Sequence, residues 1–461
     1  MSLWRPGTSL HDPDGPEEGV LAGAAGGTAV AEIPGVRQPD SASPAQVTGA
    51  RERVSSALSL FDRPLTSYYL ILGITALLLG LGLVMVLSTT SAAGLISGGS
   101  PWSGFEKQLL GVLIGLPCMW VAAKCSPTVF RAAAYPLMFV AALGLLVVLF
   151  VAQPQGGAVR WLQIGPLTFQ PSELAKLAFV LWGADLLARK EKLGQLDNWR
   201  YLLIPLLPGA GALCMLIMLG NDLGTTFMLL IIFLALVWVI GMPGRMFLGV
   251  LAMIGLALGM LVIVAPYRAH RLTSFLTPSA NPTGPNMQAV QGKWAVGSGG
   301  WFGVGLGASR EKWGWVPNST TDFIFAIIGE ELGLVGTICV CFLYGGLAYA
   351  GLRIARRVQD TFMRLAAAAA TAWIVVQALV NMGAVLGLLP ITGVPLPLVS
   401  SGLSSLLVTM IALGMLMSFA KREPGASQAL AAAGPGLALR VLSWLGLIGR
   451  RERQLRPQRR P

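Results

Sequence analysis

A chain of 461 residues with 54% hydrophobic and only 12% charged residues lacks the polar surface of a soluble protein, which needs about a quarter of its residues charged. Its net charge of +12 does not mark a nucleic-acid binder, because the cations sit in short connections between apolar runs and in the C-terminal region. The five cysteines form no CxxC or Cys/His spacing and read as small core residues, so neither a disulfide framework nor a zinc site is implied.

Residues 1–62 are rich in Gly, Ala, Pro and Ser and show no hydrophobic period, which predicts a disordered cytoplasmic tail. No basic stretch there leads straight into an apolar core, so a cleaved signal peptide is not expected. From 63 to 420 the chain alternates apolar runs with short connections. At about 20 residues per crossing, spans are expected near 67–90, 107–124, 134–152, 172–189, 201–219, 223–241, 245–265, 323–352, 365–388 and 397–420. The expected fold class is therefore an all-α polytopic membrane protein with about ten transmembrane helices. An even number leaves both termini on one side.

The connections assign that side. Lys124 and Arg131, then Arg189, Lys190, Lys192 and Arg200, then Arg245, then Arg353, Arg356, Arg357 and Arg364 fall on alternate connections, and the tail adds Lys421 and Arg422. The positive-inside rule is satisfied with both termini in the cytoplasm. The exception is a large extracytoplasmic loop, 266–322, between helices 7 and 8, which carries Arg268, Arg271, Lys293, Arg310 and Lys312. Its cations need another reason. In the basic cytoplasmic tail, 421–461, a short apolar run from Leu437 to Ile448 precedes Arg450, Arg451 and Arg453. An interfacial helix and a disordered basic tail both account for it.

Ionisable side chains within lipid cost several kcal/mol on most scales and are functional candidates by default. Glu173 and Lys176 lie three apart at the start of the fourth span, as a helix-locking ion pair, as the lining of a polar cavity, or as both. In the outer loop before it, Trp161 reads as an interfacial aromatic and Arg160 could reach a phosphate. Asp222, after the tight reversal Gly220-Asn221, is placed to cap the sixth span. Asp322 stands where the long loop enters the eighth span, where an N-cap role would explain it. Glu330 and Glu331 follow about 12 Å deeper at 1.5 Å per residue, and no cap explains them. Carboxylates facing a cationic loop suggest acid/base work on a phosphorylated substrate.

The glycine-rich stretch 299–307 has no preceding strand and no GK[ST], so it is not a nucleotide P-loop. Its glycines are expected to let backbone fold tightly against lipid headgroups. The Pro-rich stretch from Leu389 to Gly402 is non-helical chain before the last span. Such backbone is tolerated only where it is buried in protein or lines a watered cavity.

Several motifs, in order, carry a resemblance: GAVRW (157–161), FQPSELAK (169–176), DLGT (222–225), YRAHRLTSFL (267–276), GGWFGVGLG (299–307), TDFIFAIIGEELG (321–333) and GLLPITGVPLP (387–397). Over about residues 65–420 the chain resembles the SEDS family of FtsW and RodA. The loop and the eighth span look closer to FtsW, the cell-division member, particularly its actinobacterial form. It departs from the family pattern at Gly220-Asn221, where Gln-Pro is usual. It departs again at Ser319-Thr320-Thr321, where the family commonly has Ala-His-Thr, and at Ser400-Ser401-Gly402-Leu403-Ser404, where it has SxGGS.

The resemblance implies a peptidoglycan glycosyltransferase that polymerises lipid II during septal wall synthesis, with undecaprenyl diphosphate displaced and the anomeric centre inverted. By resemblance Asp322 is the catalytic carboxylate, and Trp161, Glu173, Lys176 and Asp222 are family site residues. Arg160, Arg268, Arg271 and Lys312 are candidates to meet the diphosphate, and Glu330, Glu331 and Ser400 complete the expected substrate-binding set. No cofactor is fixed, although a divalent cation, Mg or Mn, is a candidate beside the diphosphate. The implied partners are lipid II, a class B penicillin-binding transpeptidase and other division-complex membrane proteins, at the septal cell membrane. A lipid II flippase and a non-catalytic division scaffold are the alternative readings.

Overall fold

The computed structural model describes residues 65–96, 98–154, 157–165, 167–194, 199–264, 275, 287–426 and 428–429. The N-terminal tail, the C-terminal tail beyond 429, Arg268, Arg271 and the apolar run at 437–448 lie outside the described residues. The helices are α1 Thr66–Ile96, α2 Ser103–Lys124, α3 Pro127–Val151, α4 Pro171–Lys192, α5 Trp199–Leu219, α6 Leu223–Val239, α7 Gly244–Val264, α8 Met287–Ser298, α9 Ile324–Arg357, α10 Thr361–Val385 and α11 Leu403–Ala420. Each of the ten stretches expected as spans overlaps one of these helices. Six, α1, α2, α3, α9, α10 and α11, are long and apolar enough to cross a membrane.

Two elements were not anticipated. The long outer loop contains α8, and the chain before α4 forms a short antiparallel hairpin, β1 Leu162–Ile164 with β2 Leu167–Phe169, in register Leu162↔Phe169. Prolines open α3 and α4 at the first helical turn, where their missing N–H costs nothing. Asp360 caps α10 by accepting from Met363 N at 3.1 Å.

α4, α10 and α11 are buried along most of their length, whereas α3 and α7 turn large apolar side chains such as Phe139, Phe150 and Leu248 outward. Such outward apolar faces belong to a bundle whose solvent is lipid. α2 and α11 pack closely, because Gly111 and Gly115 on α2 admit the side chains of Leu406 and Met410 and Gly414 on α11 lies against the backbone of Met119. Small residues at such spacing supply close van der Waals packing, the main attraction left between helices in lipid. The cysteines are free, and Cys339 and Cys341 on α9 are exposed rather than in the core. A sulfur side chain is apolar enough to face hydrocarbon.

At one end of the bundle Asp185 receives Arg189 at 2.7 Å and Arg131 at 3.6 Å, and Arg131 also reaches Asp360 at 3.4 Å. These ion pairs join the ends of α3, α4 and α10. The end where α9 and α11 begin carries the candidate site.

α9 is not one continuous helix. Gly333 takes φ 68°, ψ −162° and breaks it. The glycine-rich stretch fills the break: Val304 N and Gly305 N donate to the carbonyls of Glu330 and Glu331 at 2.9 and 3.2 Å, and Leu334 N and Val335 N donate to those of Gly300 and Trp301 at 2.9 and 3.2 Å. Backbone groups orphaned by the break are thus satisfied by a strap of loop backbone. A Cβ at Gly299, Gly303 or Gly333 would overlap backbone across this junction. Gly299 and Gly303 therefore serve close backbone contact with α9.

Candidate active site

Asp322 ends the long loop one residue short of the α9 cap. The N-cap position is Phe323, which makes no side-chain cap. Its surroundings are fixed through backbone. Ser401 N donates to Thr320 O at 3.0 Å, Ser400 Oγ to Thr321 O at 2.6 Å, and Asn381 Nδ2 to Asp322 O at 2.7 Å. Three successive carbonyls are thereby gripped by α10 and by the non-helical stretch before α11. The side chain is half-buried, and Gly393, at φ +71°, brings the same stretch close to its Oδ2.

That stretch is in turn hung from α10. Asn381 Nδ2 also donates to Val394 O at 2.8 Å, and Gln377 Nε2 donates to Pro395 O at 2.9 Å. Ser400 Oγ accepts from Leu396 N at 2.8 Å while donating to Thr321 O. Tyr344 on α9 donates its hydroxyl to Pro397 O. Ser400 therefore joins two loops. The expectation that this Pro-rich backbone is held inside protein is met.

Gln377 also receives Lys176 Nζ at 2.9 Å and Trp373 Nε1 at 2.8 Å. Lys176 pairs with Glu173 at 2.8 Å and sits 5.0 Å from the Trp373 ring centroid. Both ions are buried, so the pair is a bracing contact deep in the bundle that links α4 to α10. Asp222 does cap α6, accepting from Thr225 N at 3.1 Å and Thr225 Oγ1 at 2.8 Å. It further accepts from Gln170 Nε2 at 3.2 Å and lies 3.8 Å from Arg160.

Arg160, Asp222 and Ser172 line a small hollow closed by apolar residues of α3 and α5, among them Val148 and Leu216. The Arg160 Nε is buried without a hydrogen-bond partner. A guanidinium with an unsatisfied donor at the rim of a hollow is suited to an anionic oxygen. Trp161, half-buried, follows it into the hairpin. The hairpin is pinned to α11 because Ser404 Oγ accepts from Gln170 N at 3.0 Å and donates to Thr168 O at 3.3 Å.

The remaining candidates serve the strap. Lys312 directs its three N–H groups to Glu331 Oε1 at 3.0 Å, Ser88 Oγ at 2.9 Å and Gly307 O at 2.7 Å. Glu330 accepts from Ser309 Oγ and, at 2.9 Å, from Arg310 N. All three ionic side chains are buried. Lys312, Glu330 and the Oε1 of Glu331 are thus held by protein groups and do not line the hollow beside Arg160, while Glu331 Oε2 is buried without a hydrogen-bond partner.

Gln377, Asn381, Gln170 and Ser309 were missed by a reading that sought only ionisable groups. Gln377 and Asn381, four apart in an apolar helix, were visible as one polar stripe. Among the described residues no group of three or more His, Cys, Asp or Glu side chains is placed to hold a metal ion.

A family model described as a cell cycle protein, that of FtsW, RodA and SpoVE, matches residues 68–424. This chain belongs to the SEDS family. A probable peptidoglycan glycosyltransferase FtsW from Mycobacterium tuberculosis is 42% identical over 372 residues, 80% of this chain and 71% of that protein. Stage V sporulation protein E of Bacillus subtilis is 34% identical, covering 76% of this chain and 95% of the relative. Among solved structures, one reported for the structural coordination of polymerization and crosslinking by a peptidoglycan synthase complex superposes with TM-score 0.63 at 28% identity, covering 76% of this chain and 96% of that one. Thermus thermophilus RodA superposes with TM-score 0.57 at 29% identity, covering 76% and 96%. As a SEDS protein the chain is a multi-pass membrane protein, in agreement with its apolar helices.

Proposed function

We propose that this SEDS protein is a peptidoglycan glycosyltransferase of cell division that polymerises lipid II, with Asp322 as general base. The observation that carries the reading is a half-buried carboxylate at a loop–helix junction whose backbone is gripped at three successive carbonyls. Rigid positioning of that kind is what proton transfer in a transition state requires. Asp322 takes the proton of the acceptor's GlcNAc 4-hydroxyl as its oxygen attacks the donor's MurNAc anomeric carbon. The bond to undecaprenyl diphosphate breaks, and the configuration inverts. Charge develops on the diphosphate, and Arg160, with its unsatisfied Nε, is the described cation best disposed to meet it.

Trp161 and Asp222 flank that arginine. Arg268 and Arg271 remain candidates for the same diphosphate. Lys312, Glu330, Glu331, Glu173, Lys176 and Ser400 act through the scaffold. Ten crossings with both termini in the cytoplasm put Asp322 on the outer face, where lipid-linked precursor is polymerised. A class B transpeptidase at the septum is the expected partner, since this chain has no transpeptidase serine motif of its own.

Replacing Asp322 with Asn should abolish glycan chains made from purified lipid II in detergent while the protein keeps its thermal unfolding transition. Undiminished polymerisation would overturn the assignment. The same assay addresses the flippase reading, since detergent offers no second membrane face and only an enzyme makes polymer there.

A further inference from the structure

We propose that Lys124 and Lys421 form a binding site for the phosphate of an anionic phospholipid, at the membrane face opposite Asp322. α11 begins at the stretch that grips Thr320 and Thr321 and runs 18 residues, about 27 Å at 1.5 Å per residue, to its C-terminal cap, Lys421. That is close to the hydrocarbon thickness of a bilayer.

α2 runs alongside and ends at Lys124. The two ends are locked together, since Ser418 Oγ donates to Cys125 O at 2.6 Å and Lys421 Nζ to Ala123 O at 2.8 Å. Neutralising two helix C-termini explains one lysine at each. It does not explain what balances their mutual repulsion. No ion pair among the described residues involves Lys124, Lys421 or the neighbouring exposed Arg422. The nearest carboxylate in sequence, Glu423, is buried and turned to Arg353 at 3.9 Å. Burial, and secondarily the charge of Lys124, holds the Lys421 ammonium below its ordinary pKa, so an anion between the two lysines would relieve a real penalty.

Aromatic rings frame the pair. Lys124 Nζ lies 5.6 Å from the Trp120 ring centroid and Lys421 Nζ 5.1 Å from that of Tyr68. Trp120 is 63% exposed on the outer face of α2, one turn before the end, at the depth where indoles meet headgroups. Two ammonium groups for a phosphate and apolar ring faces for the adjoining acyl chains describe a phospholipid rather than a soluble anion. A lipid seated there would tie the ends of α1, α2 and α11.

The test uses the full-length protein in non-ionic detergent, with bound lipids counted by native mass spectrometry after incubation with phosphatidylglycerol or phosphatidylcholine. The parent should retain phosphatidylglycerol preferentially. Lys124→Gln/Lys421→Gln should weaken that retention at least ~10-fold, on the scale expected for two interfacial cations. Lys124→Arg/Lys421→Arg should keep it, and Lys190→Gln/Lys192→Gln, which removes equal charge elsewhere, should leave it unchanged. If the double glutamine variant misfolds, Lys124→Gln alone, at an exposed position, must still reduce retention. Equal retention of the two lipids, loss in the Lys190/Lys192 control, or displacement of the lipid by millimolar inorganic phosphate would each overturn the proposal.

Discussion

Asn381 spends both hydrogens of its side-chain amide on backbone, one on the carbonyl of Asp322 and one on that of Val394. This residue on α10 therefore ties the loop that carries the carboxylate to the stretch that packs beside it, alongside the direct bonds from Ser400 and Ser401.

Asn381→Ala should accordingly damage catalysis more than binding. Two buried carbonyls would lose their donor, at about 1–3 kcal/mol each, and a carboxylate displaced by ~1 Å can cost about 100-fold in rate. The expected outcome is a fall of roughly 10- to 100-fold in kcat for lipid II polymerisation with a smaller change in KM. A rate equal to the parent's would show that Asp322 is positioned without this bond.

The bundle was legible in the sequence because each crossing announces itself as an uninterrupted apolar run, and Asp222 was legible as a cap because turn, carboxylate and threonine are adjacent. The break in α9 was not. Gly333 sits in a run that reads as helix, and the backbone groups its break exposes are satisfied only by residues 300–305 arriving from elsewhere in the chain. For the same reason the partners of Glu330 and Glu331 were hidden. Ser309, Lys312 and Ser88 lie 19 to 243 residues away in sequence. Charge alone suggested a substrate where the protein supplies a lysine to Glu331 and neutral donors to Glu330.

Gly303→Ala tests the strap. Gly303 holds φ +80° and lies against the Glu331 carbonyl, so a methyl group is excluded by both conformation and space. Hydrogen–deuterium exchange should rise at residues 299–305 and 330–335 together, with polymerisation reduced. Exchange confined to the loop would mean that α9 closes its own break.

The Lys312–Glu331 pair is buried on both sides, with side-chain exposures of 4% and 0%. Removing one partner from such a pair leaves an uncompensated charge, at about 3–5 kcal/mol, whereas removing both charges is often close to neutral. Lys312→Met should lower the thermal unfolding temperature sharply, and adding Glu331→Gln should recover most of the loss. If the double variant is no better than the single one, the pair is not the source of the stability, and a direct role for Lys312 at substrate returns.

Glu311 gives a pH-dependent counterpart. It lies in the outer loop, half-exposed, with Oε2 lacking a hydrogen-bond partner, and its carboxyl is raised above the ordinary glutamate pKa by burial first and by the charge of Glu330 second. A raised folded-state pKa favours the folded form while the group is protonated. Its contribution is fully present below the unfolded value, about 4.3, and is lost as pH climbs through the folded value. At neutral pH the ionised carboxylate is therefore a burden on the loop. Glu311→Gln should raise the unfolding temperature at pH 7, and the gain should shrink to nothing below about pH 4. Differences between variant and parent remove the contribution of carboxylates remote from this loop. A gain that does not change with pH, or a loss at pH 7, would show that the carboxylate is not the strained element of this loop.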